Sequence, residues 1–160
     1  MARAPYQILI FPYRFKSEEE IEFAIFKRSD YKEEIWQGIA GAGEDNEKPI
    51  EAARREAFEE GGISQNSPLL ILDSMATVPV IHFGEGALRG KLWGEDMYVI
   101  PEHAYGMQIV DQELSISHEH TEYRWVPYTE ALKLLKWDSN RNALWELNQR
   151  LTRRLKQKEP

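Results

Sequence analysis

Acidic residues are crowded into one short segment of the chain, from Gly41 to Ile63. Seven of its residues are carboxylic acids and only three are basic. On an α-helix each residue turns by about 100°, so Glu56, Glu59 and Glu60 would share one face. Carboxylates at this spacing repel one another and destabilise a helix. We therefore expect a partner that offsets the repulsion.

A divalent cation is the partner that this pattern favours. The basic residues of the segment, Lys48, Arg54 and Arg55, are few and are expected mostly on other faces of the helix. Mg²⁺ and Mn²⁺ prefer oxygen ligands of the kind that carboxylates supply. The alternative is an ordinary solvated acidic face. A structural or interaction domain would leave the repulsion unexplained.

The fixed positions of the segment have a recognisable spacing. Gly41 is followed by five residues, then Glu47, then seven residues, and then the run 55–63 (REAFEEGGI). This spacing resembles the Nudix box, the signature of the Nudix hydrolases. The one departure is Ala57, where a larger aliphatic residue is more usual.

The resemblance implies a fold and a set of site residues. The fold is of the α/β class, an α/β/α sandwich with a mixed central sheet and a loop–helix–loop metal site. The activity is hydrolysis of a nucleoside diphosphate linked to another group, with Mg²⁺ as cofactor and Mn²⁺ as a substitute. By position, the implied metal ligands are the Gly41 carbonyl, Glu56, Glu59 and Glu60. Glu47 is a supporting residue, and Arg55 pairs with it and orients the acidic face.

Two later segments narrow the resemblance. Residues 119–125 read E-H-x-x-Y-R-W and residues 137–141 read W-x-S-N-R, while Trp36-Gln37 precedes the box. The combination resembles bacterial dihydroneopterin triphosphate pyrophosphohydrolases, also described as dATP pyrophosphohydrolases. It implies that water attacks phosphorus in a nucleoside or pterin triphosphate and that monophosphate and pyrophosphate are released.

By the same likeness, Glu119 is a fourth carboxylate at the metal site. It would be a metal ligand or the general base, and Glu60 is the other candidate for the base. The alternative for Glu119 is a solvated loop residue. His118 and His120 flank Glu119, and either of them could assist it.

Three residues are predicted to bind substrate. Arg28 would contact a phosphate, or else be a solvated cation at a strand end. Trp36 would stack on a base, or else fill the core. Ala40 precedes Gly41 and completes the set. The later tryptophans are expected in the core or between helices: Trp125, Trp137 and Trp145.

Pro79 is a reason to consider ADP-ribose as a second candidate substrate. It lies sixteen residues after Ile63, where ADP-ribose pyrophosphatases of the superfamily often carry a proline, although a bend in a strand explains it equally well. A further alternative is a Nudix-like module that senses a nucleotide without cutting it. The intact acidic positions of the box favour the enzyme.

The hydrophobic patterns predict the elements that position these residues. Predicted strands are Tyr6–Phe15, Glu20–Lys27, Ile35–Ala40, Leu69–Phe83 with a bend near Pro79, Met97–Ile100 and Tyr123–Val126. Predicted helices are Pro49–Glu60, Thr129–Leu135 and Ser139–Leu155. The segment Gly84–Gly94, with four glycines, is expected to be a loop that helps choose the substrate.

Length and composition limit the remaining choices. The 160 residues predict a single domain, 1–160, with a polar tail from about residue 156. The net charge of −7 argues against duplex nucleic acid as a partner and leaves a small phosphorylated molecule, bound through cations. The lack of cysteine suits the cytoplasm, and no segment is long enough to span a membrane. Homodimers occur among the proteins that the chain resembles.

Overall fold

The computed structural model describes residues 3–83 and 93–157, and their strands form one mixed sheet. The strands are β1 (Arg3–Phe15), β2 (Ile21–Arg28), β3 (Trp36–Gln37), β4 (Ile39–Glu44), β5 (Leu69–Pro79), β6 (Val99–Gln108) and β7 (His120–Val126). The helices are α1 (Pro49–Gly61), α2 (Tyr128–Leu134) and α3 (Asp138–Gln157), and a 3₁₀ turn, Val80–Phe83, follows β5.

Strand β1 is the centre of the sheet. It pairs in antiparallel fashion with β2 and β4, and in parallel with β6 from Gln7↔Glu102 to Tyr13↔Gln108. β5 pairs with β6, and both β3 and β7 pair with β2, all three in antiparallel fashion. The parallel pairing of β1 with β6 makes the sheet mixed, as predicted.

Alternate residues of β1 face two separate hydrophobic cores. Leu9, Phe11 and Tyr13 pack with leucines of α3, whereas Ile8 and Ile10 pack with alanines of α1. Successive side chains of a strand point to opposite faces, so this strand is buried from both sides. The predicted α/β/α sandwich is confirmed.

The predicted third strand, Ile35–Ala40, is wrong in its bounds, because it forms two strands separated at Gly38. The Gly38 N–H donates to the Asn140 Oδ1 at 2.8 Å instead of joining a ladder. A Cβ at this position would lie 2.9 Å from the Ile10 carbonyl oxygen, so the backbones approach too closely for a side chain. Beyond the break, β4 continues to Glu44 and leads into α1.

Other predicted elements also have different bounds in the structure; β1 begins at Arg3 rather than Tyr6, and β7 begins at His120 rather than Tyr123. The strand predicted at Met97–Ile100 begins at Val99 and runs to Gln108, because pairing with β1 and β5 overrides the unfavourable Pro101 and Gly106. β5 ends at Pro79 rather than Phe83, and α3 continues to Gln157, past the predicted start of the tail. Most of the predicted loop Gly84–Gly94 lies outside the described residues. No helix in the described ranges is long and apolar enough to cross a membrane.

Candidate active site

Helix α1 has defined ends, which fix the direction of its acidic face. Pro49 begins the helix, and the Lys48 N–H donates to the Glu51 carboxylate at 3.0 Å. At the other end Gly62 adopts a left-handed conformation with φ of 65°, and its N–H donates to the Phe58 carbonyl. The alanines of α1 are buried against the sheet, and Glu56 and Glu60 lie three or four residues from them on the same side of the helix, so both side chains are held close to the sheet.

The three glutamates of α1 form one compact group of oxygens. Glu56, Glu59 and Glu60 each offer a carboxylate oxygen, and these atoms lie within 4.8 Å of one another. Burial raises the pKa of Glu56 to about 7, and repulsion from Glu59 and Glu60 adds to the effect of burial. Burial also raises the pKa of Glu60. The group is therefore unfavourable as three free anions and suited to a hard cation.

Gly41 lies directly against the Glu56 carboxylate. A Cβ on Gly41 would be 2.6 Å from Glu56 Oε2 and would touch Cδ more closely still. The absence of a side chain at this position is thus a condition for the observed place of Glu56. Whether the Gly41 carbonyl binds a metal stays a prediction.

Arg55 is the cation of the acidic face. It donates to Glu47 at 2.8 and 3.0 Å, which is the pairing that the resemblance implies, and to the Ala42 carbonyl at 2.9 Å. It also donates to Glu56 at 3.0 Å and to Glu59 at 3.1 Å. The expectation that the basic residues lie mostly on other faces is wrong for Arg55, because its long side chain reaches across the helix surface to the acids. One guanidinium offsets only part of the charge of the surrounding carboxylates.

A loop before β7 closes this end of the site. The Ser117 hydroxyl donates to Glu60, and the Glu119 N–H donates to the Ser117 Oγ at 3.2 Å. The Glu119 carboxylate lies 4.0 Å from an Arg28 nitrogen and is outside the compact oxygen group of α1. After burial, repulsion from the Glu119 carboxylate helps to raise the pKa of Glu60.

His120 is packed behind the acids. Its side chain is 1% exposed, its Nδ1 is 4.0 Å from Glu60 Oε2, and neither ring nitrogen has a hydrogen-bond partner among the described residues. Burial, with Arg28 nearby, lowers the pKa of His120 to about 4, so the ring is neutral at pH 7. His118, by contrast, is exposed.

A cleft of about 800 Å³ runs from the acids across the sheet. Among the predicted residues, Arg28, Ala40, Gly41, Glu56 and Glu119 line it. Glu59 and Glu60 adjoin Glu56 but do not line the cleft. Arg28 is bound to Asp30 by two hydrogen bonds of 2.8 and 2.5 Å, so its guanidinium is fixed at the cleft wall.

Trp36 does not line the cleft. It is 2% exposed and belongs to the core between the sheet and α3. The Arg124 guanidinium lies 4.6 Å from the centre of its ring. Of the two predicted roles, the geometry favours core packing, and the prediction that Trp36 stacks on a base is not supported.

Beyond β4, across β1, β3, β6 and the start of α3, the cleft is lined by polar residues that the sequence did not bring together, and this part is called the far end. They are Gln7, Gln37, Glu102, Trp137, Ser139 and Asn140. Trp137 was expected in the core or between helices, but it is half-buried at the cleft wall, where its indole N–H donates to Gln37 at 2.9 Å. The W-x-S-N-R segment includes three of these residues, Trp137, Ser139 and Asn140, and so drew attention to them in the sequence. No motif includes Gln7 or Glu102.

Comparison with known proteins identifies the family. The NUDIX domain family matches residues 6–146. A crystal structure of a NUDIX hydrolase from Listeria monocytogenes is 37% identical, covers 94% of this chain and 97% of its own, and superposes with a TM-score of 0.82. The chain belongs to the NUDIX family, and its grouped acids and hydrolase relative define a pyrophosphohydrolase.

Two more distant structures share the fold. The dihydroneopterin triphosphate pyrophosphohydrolase of E. coli is 21% identical, with coverage of 92% of this chain and 99% of that one and a TM-score of 0.70. A C. elegans Ap4A hydrolase in a binary complex is also 21% identical, with coverage of 92% and 98% and a TM-score of 0.65. No curated protein matches the chain.

Proposed function

We propose that the protein hydrolyses a nucleoside or pterin triphosphate to the monophosphate and pyrophosphate. The observation that carries the proposal is a cleft that Glu56 joins to the acid group of α1 and that is also lined by polar residues and Trp137. Such a cleft suits a molecule with phosphates at one end and a planar heterocycle at the other. The likeness of residues 119–125 and 137–141 to dihydroneopterin triphosphate pyrophosphohydrolases also supports it.

The residues at the acid end fit Mg²⁺ by the chemistry of their donors. Glu56, Glu59 and Glu60 supply closely grouped carboxylate oxygens, and the Gly41 carbonyl and Glu119 are proposed as further ligands. A bound divalent cation neutralises phosphate charge and lowers the pKa of a coordinated water. Mn²⁺ would be a substitute, since it accepts the same ligands.

The chain's own residues then bind and orient the reactants. Arg28, which Asp30 holds at the cleft wall, would contact a phosphate oxygen. Arg55 and Ser117 hold the glutamates of α1 in place. Glu119 or Glu60 accepts a proton from the attacking water. An oxygen–phosphorus bond forms, the anhydride bond to the leaving pyrophosphate breaks, and pyrophosphate departs with the bonding electrons.

ADP-ribose is the second candidate substrate. Pro79 occupies the position where ADP-ribose pyrophosphatases often carry a proline. It lines the cleft together with Thr77 and Val78. A proline that faces the cleft could pack against a substrate as well as bend a strand. This observation keeps ADP-ribose in the set of compounds to be tested.

A substrate panel with and without Mg²⁺ tests the proposal. Dihydroneopterin triphosphate, dGTP, dATP, ADP-ribose and dinucleoside tetraphosphates would be compared by kcat/KM, with pyrophosphate and monophosphate measured as separate products. We expect triphosphates to give equimolar pyrophosphate and monophosphate, and chelation of Mg²⁺ to abolish turnover. A preference for ADP-ribose would support the second candidate. Binding of these compounds without any turnover would show a sensing module instead.

A further inference from the structure

The far end of the cleft contains a buried carboxylate that the proposed hydrolysis does not use. Glu102 of β6 is 5% exposed and lines the cleft. Its Oε2 accepts a hydrogen bond of 2.6 Å from the Gln7 amide. Burial raises the pKa of Glu102, whereas Gln7 and the nearby Ser139 side chain act to lower it. These two neighbours, Gln7 and Ser139, are neutral, so neither of them brings a positive charge to the Glu102 carboxylate.

A carboxylate in this setting can accept more hydrogen bonds than the protein provides. Its two oxygens have about four acceptor positions, and the Gln7 amide occupies one of them. The best complement is a planar edge with two adjacent N–H donors, since paired hydrogen bonds to a charged group are strong and directional. The 2-amino-4-oxopyrimidine ring that guanine and pterins share has this edge, with a ring N–H beside an amino group. The edge of adenine places a ring nitrogen acceptor beside its amino group and would meet the carboxylate unfavourably.

Two neighbours provide the rest of a heterocycle site. The Trp137 indole N–H is only a donor, so its bond to Gln37 identifies the Gln37 Oε1 as the acceptor and leaves the amide NH₂ as the donor end. An NH₂ donor suits the ring carbonyl that accompanies the two N–H groups of guanine and pterins. The half-buried Trp137 ring at the cleft wall offers an aromatic surface to a planar ligand.

We propose that Glu102 is a specificity-determining residue that selects substrates with a 2-amino-4-oxo heterocycle, as in guanine and pterins, over adenine. The inference rests on the proposed function, because it concerns the heterocycle of the same triphosphate. It predicts which heterocycle the enzyme prefers, which the hydrolytic site alone does not determine.

Three triphosphates that differ only in the base test the inference. dITP is dGTP without the 2-amino group, and dATP lacks the donor pair. We expect wild-type kcat/KM for dGTP to exceed that for dITP by about tenfold or more, the worth of one hydrogen bond to a charged group. Glu102→Gln should reduce the dGTP:dITP and dGTP:dATP ratios to within about threefold of one, mainly through a rise in KM for dGTP, because a neutral amide weakens the pair.

Glu130→Gln is the matched control, since it removes one negative charge from an exposed position of α2 outside the cleft. It should keep the wild-type ratios. Equal wild-type kcat/KM for dGTP and dITP would overturn the inference, and so would a parallel loss for all three substrates in Glu102→Gln. In either case the proposed hydrolysis would stand. If the wild type cleaves none of the panel, the proposed function itself fails. Should Glu102→Gln not fold, the wild-type ratio of dGTP to dITP decides alone.

Discussion

At one end of the cleft three carboxylates crowd together on α1, whereas at the other end Glu102 is surrounded by neutral hydrogen-bond donors. Burial raises the pKa of Glu56 at the first end and of Glu102 at the second. At the acid end, repulsion between like charges adds to burial, and a cation relieves both. At the far end the carboxylate already has polar partners, and further N–H groups of a ligand are its natural complement. The same chemical group thus serves metal binding in one setting and base recognition in the other.

The two ends also differ in how the chain builds them. The acid end comes mainly from residues 41–60, with Arg55 bound to several members of the group. The far end combines β1, β3, β6 and the start of α3. Changes at the acid end should therefore act on the rate for every substrate. Changes at the far end should act on the choice between substrates.

The largest effect that this comparison predicts is at Glu60. Glu60→Gln keeps the shape of the side chain but removes its charge and its capacity to take a proton. We expect kcat to fall by roughly three orders of magnitude, about 4 kcal/mol of barrier, with the same factor for every triphosphate. Pyrophosphate release at saturating Mg²⁺ measures the change.

Glu130→Gln is again the charge-matched control for that experiment. Activity of Glu60→Gln within a few fold of wild type would contradict the role assigned to the acid end. A loss confined to dGTP would also contradict it, because that result would place base selection among the acids. Thermal melting would show that both variants are folded.

Gly41→Ala should have a smaller effect at the same end. The added Cβ would occupy the place of the Glu56 carboxylate, so Glu56 must move. Misplacement of a catalytic group by about 1 Å costs on the order of 100-fold in rate, and we expect kcat to fall by about that factor. The assay is the same release of pyrophosphate.

A double-mutant cycle identifies the cause of that loss. In a Glu56→Ala background the carboxylate that Gly41→Ala displaces is absent, so the second change should add little. Additive losses in the double variant would show that Gly41 acts through something other than Glu56, such as its own carbonyl.

The sequence predicted the acid end of the site well, because one contiguous segment of the chain supplies most of its residues. The spacing from Gly41 to Ile63 predicted α1 and the grouping of Glu56, Glu59 and Glu60. Helical geometry depends only on spacing along the chain, so it could be derived from the order of residues. The place of Arg55 could not, because a helical wheel does not show how far a guanidinium reaches.

The far end could not be predicted, because it depends on tertiary pairing. The parallel register of β1 and β6 places Gln7 beside Glu102, which lies 95 residues away in sequence. Pro101 and Gly106 interrupt the strand pattern of β6, and pairing with its neighbours decides its bounds. Trp137 was expected in the core or between helices, and its place at the cleft wall depends on a bond to Gln37 that spans 100 residues.

The smallest expected effect on catalysis is at Glu146, which joins α3 to β5 behind the far end. Its carboxylate accepts hydrogen bonds from the Asp73 N–H, the Ser74 N–H and the Ser74 hydroxyl at 2.6–2.8 Å, where β5 departs from regular pairing with β6. Burial acts to raise the pKa of Glu146, but these hydrogen bonds and that from Arg150 prevail and lower it to about 2. Glu146→Gln should reduce the free energy of unfolding by roughly 2 kcal/mol, about 4–8 °C in Tm, because hydrogen bonds to a charged group are lost.

The pH dependence separates this effect from a general loss of packing. The folded pKa of about 2 lies below the ordinary value of 4.5, so the charged form is stabilised by folding. The contribution is complete above pH 4.5 and disappears as the pH falls toward 2. The difference in Tm between wild type and Glu146→Gln should therefore be constant near neutral pH and shrink in acid, while kcat at neutral pH stays near wild type. A difference in Tm that persists at pH 2 would show a packing effect, and a large fall in kcat would show that the acid end depends on this distant contact.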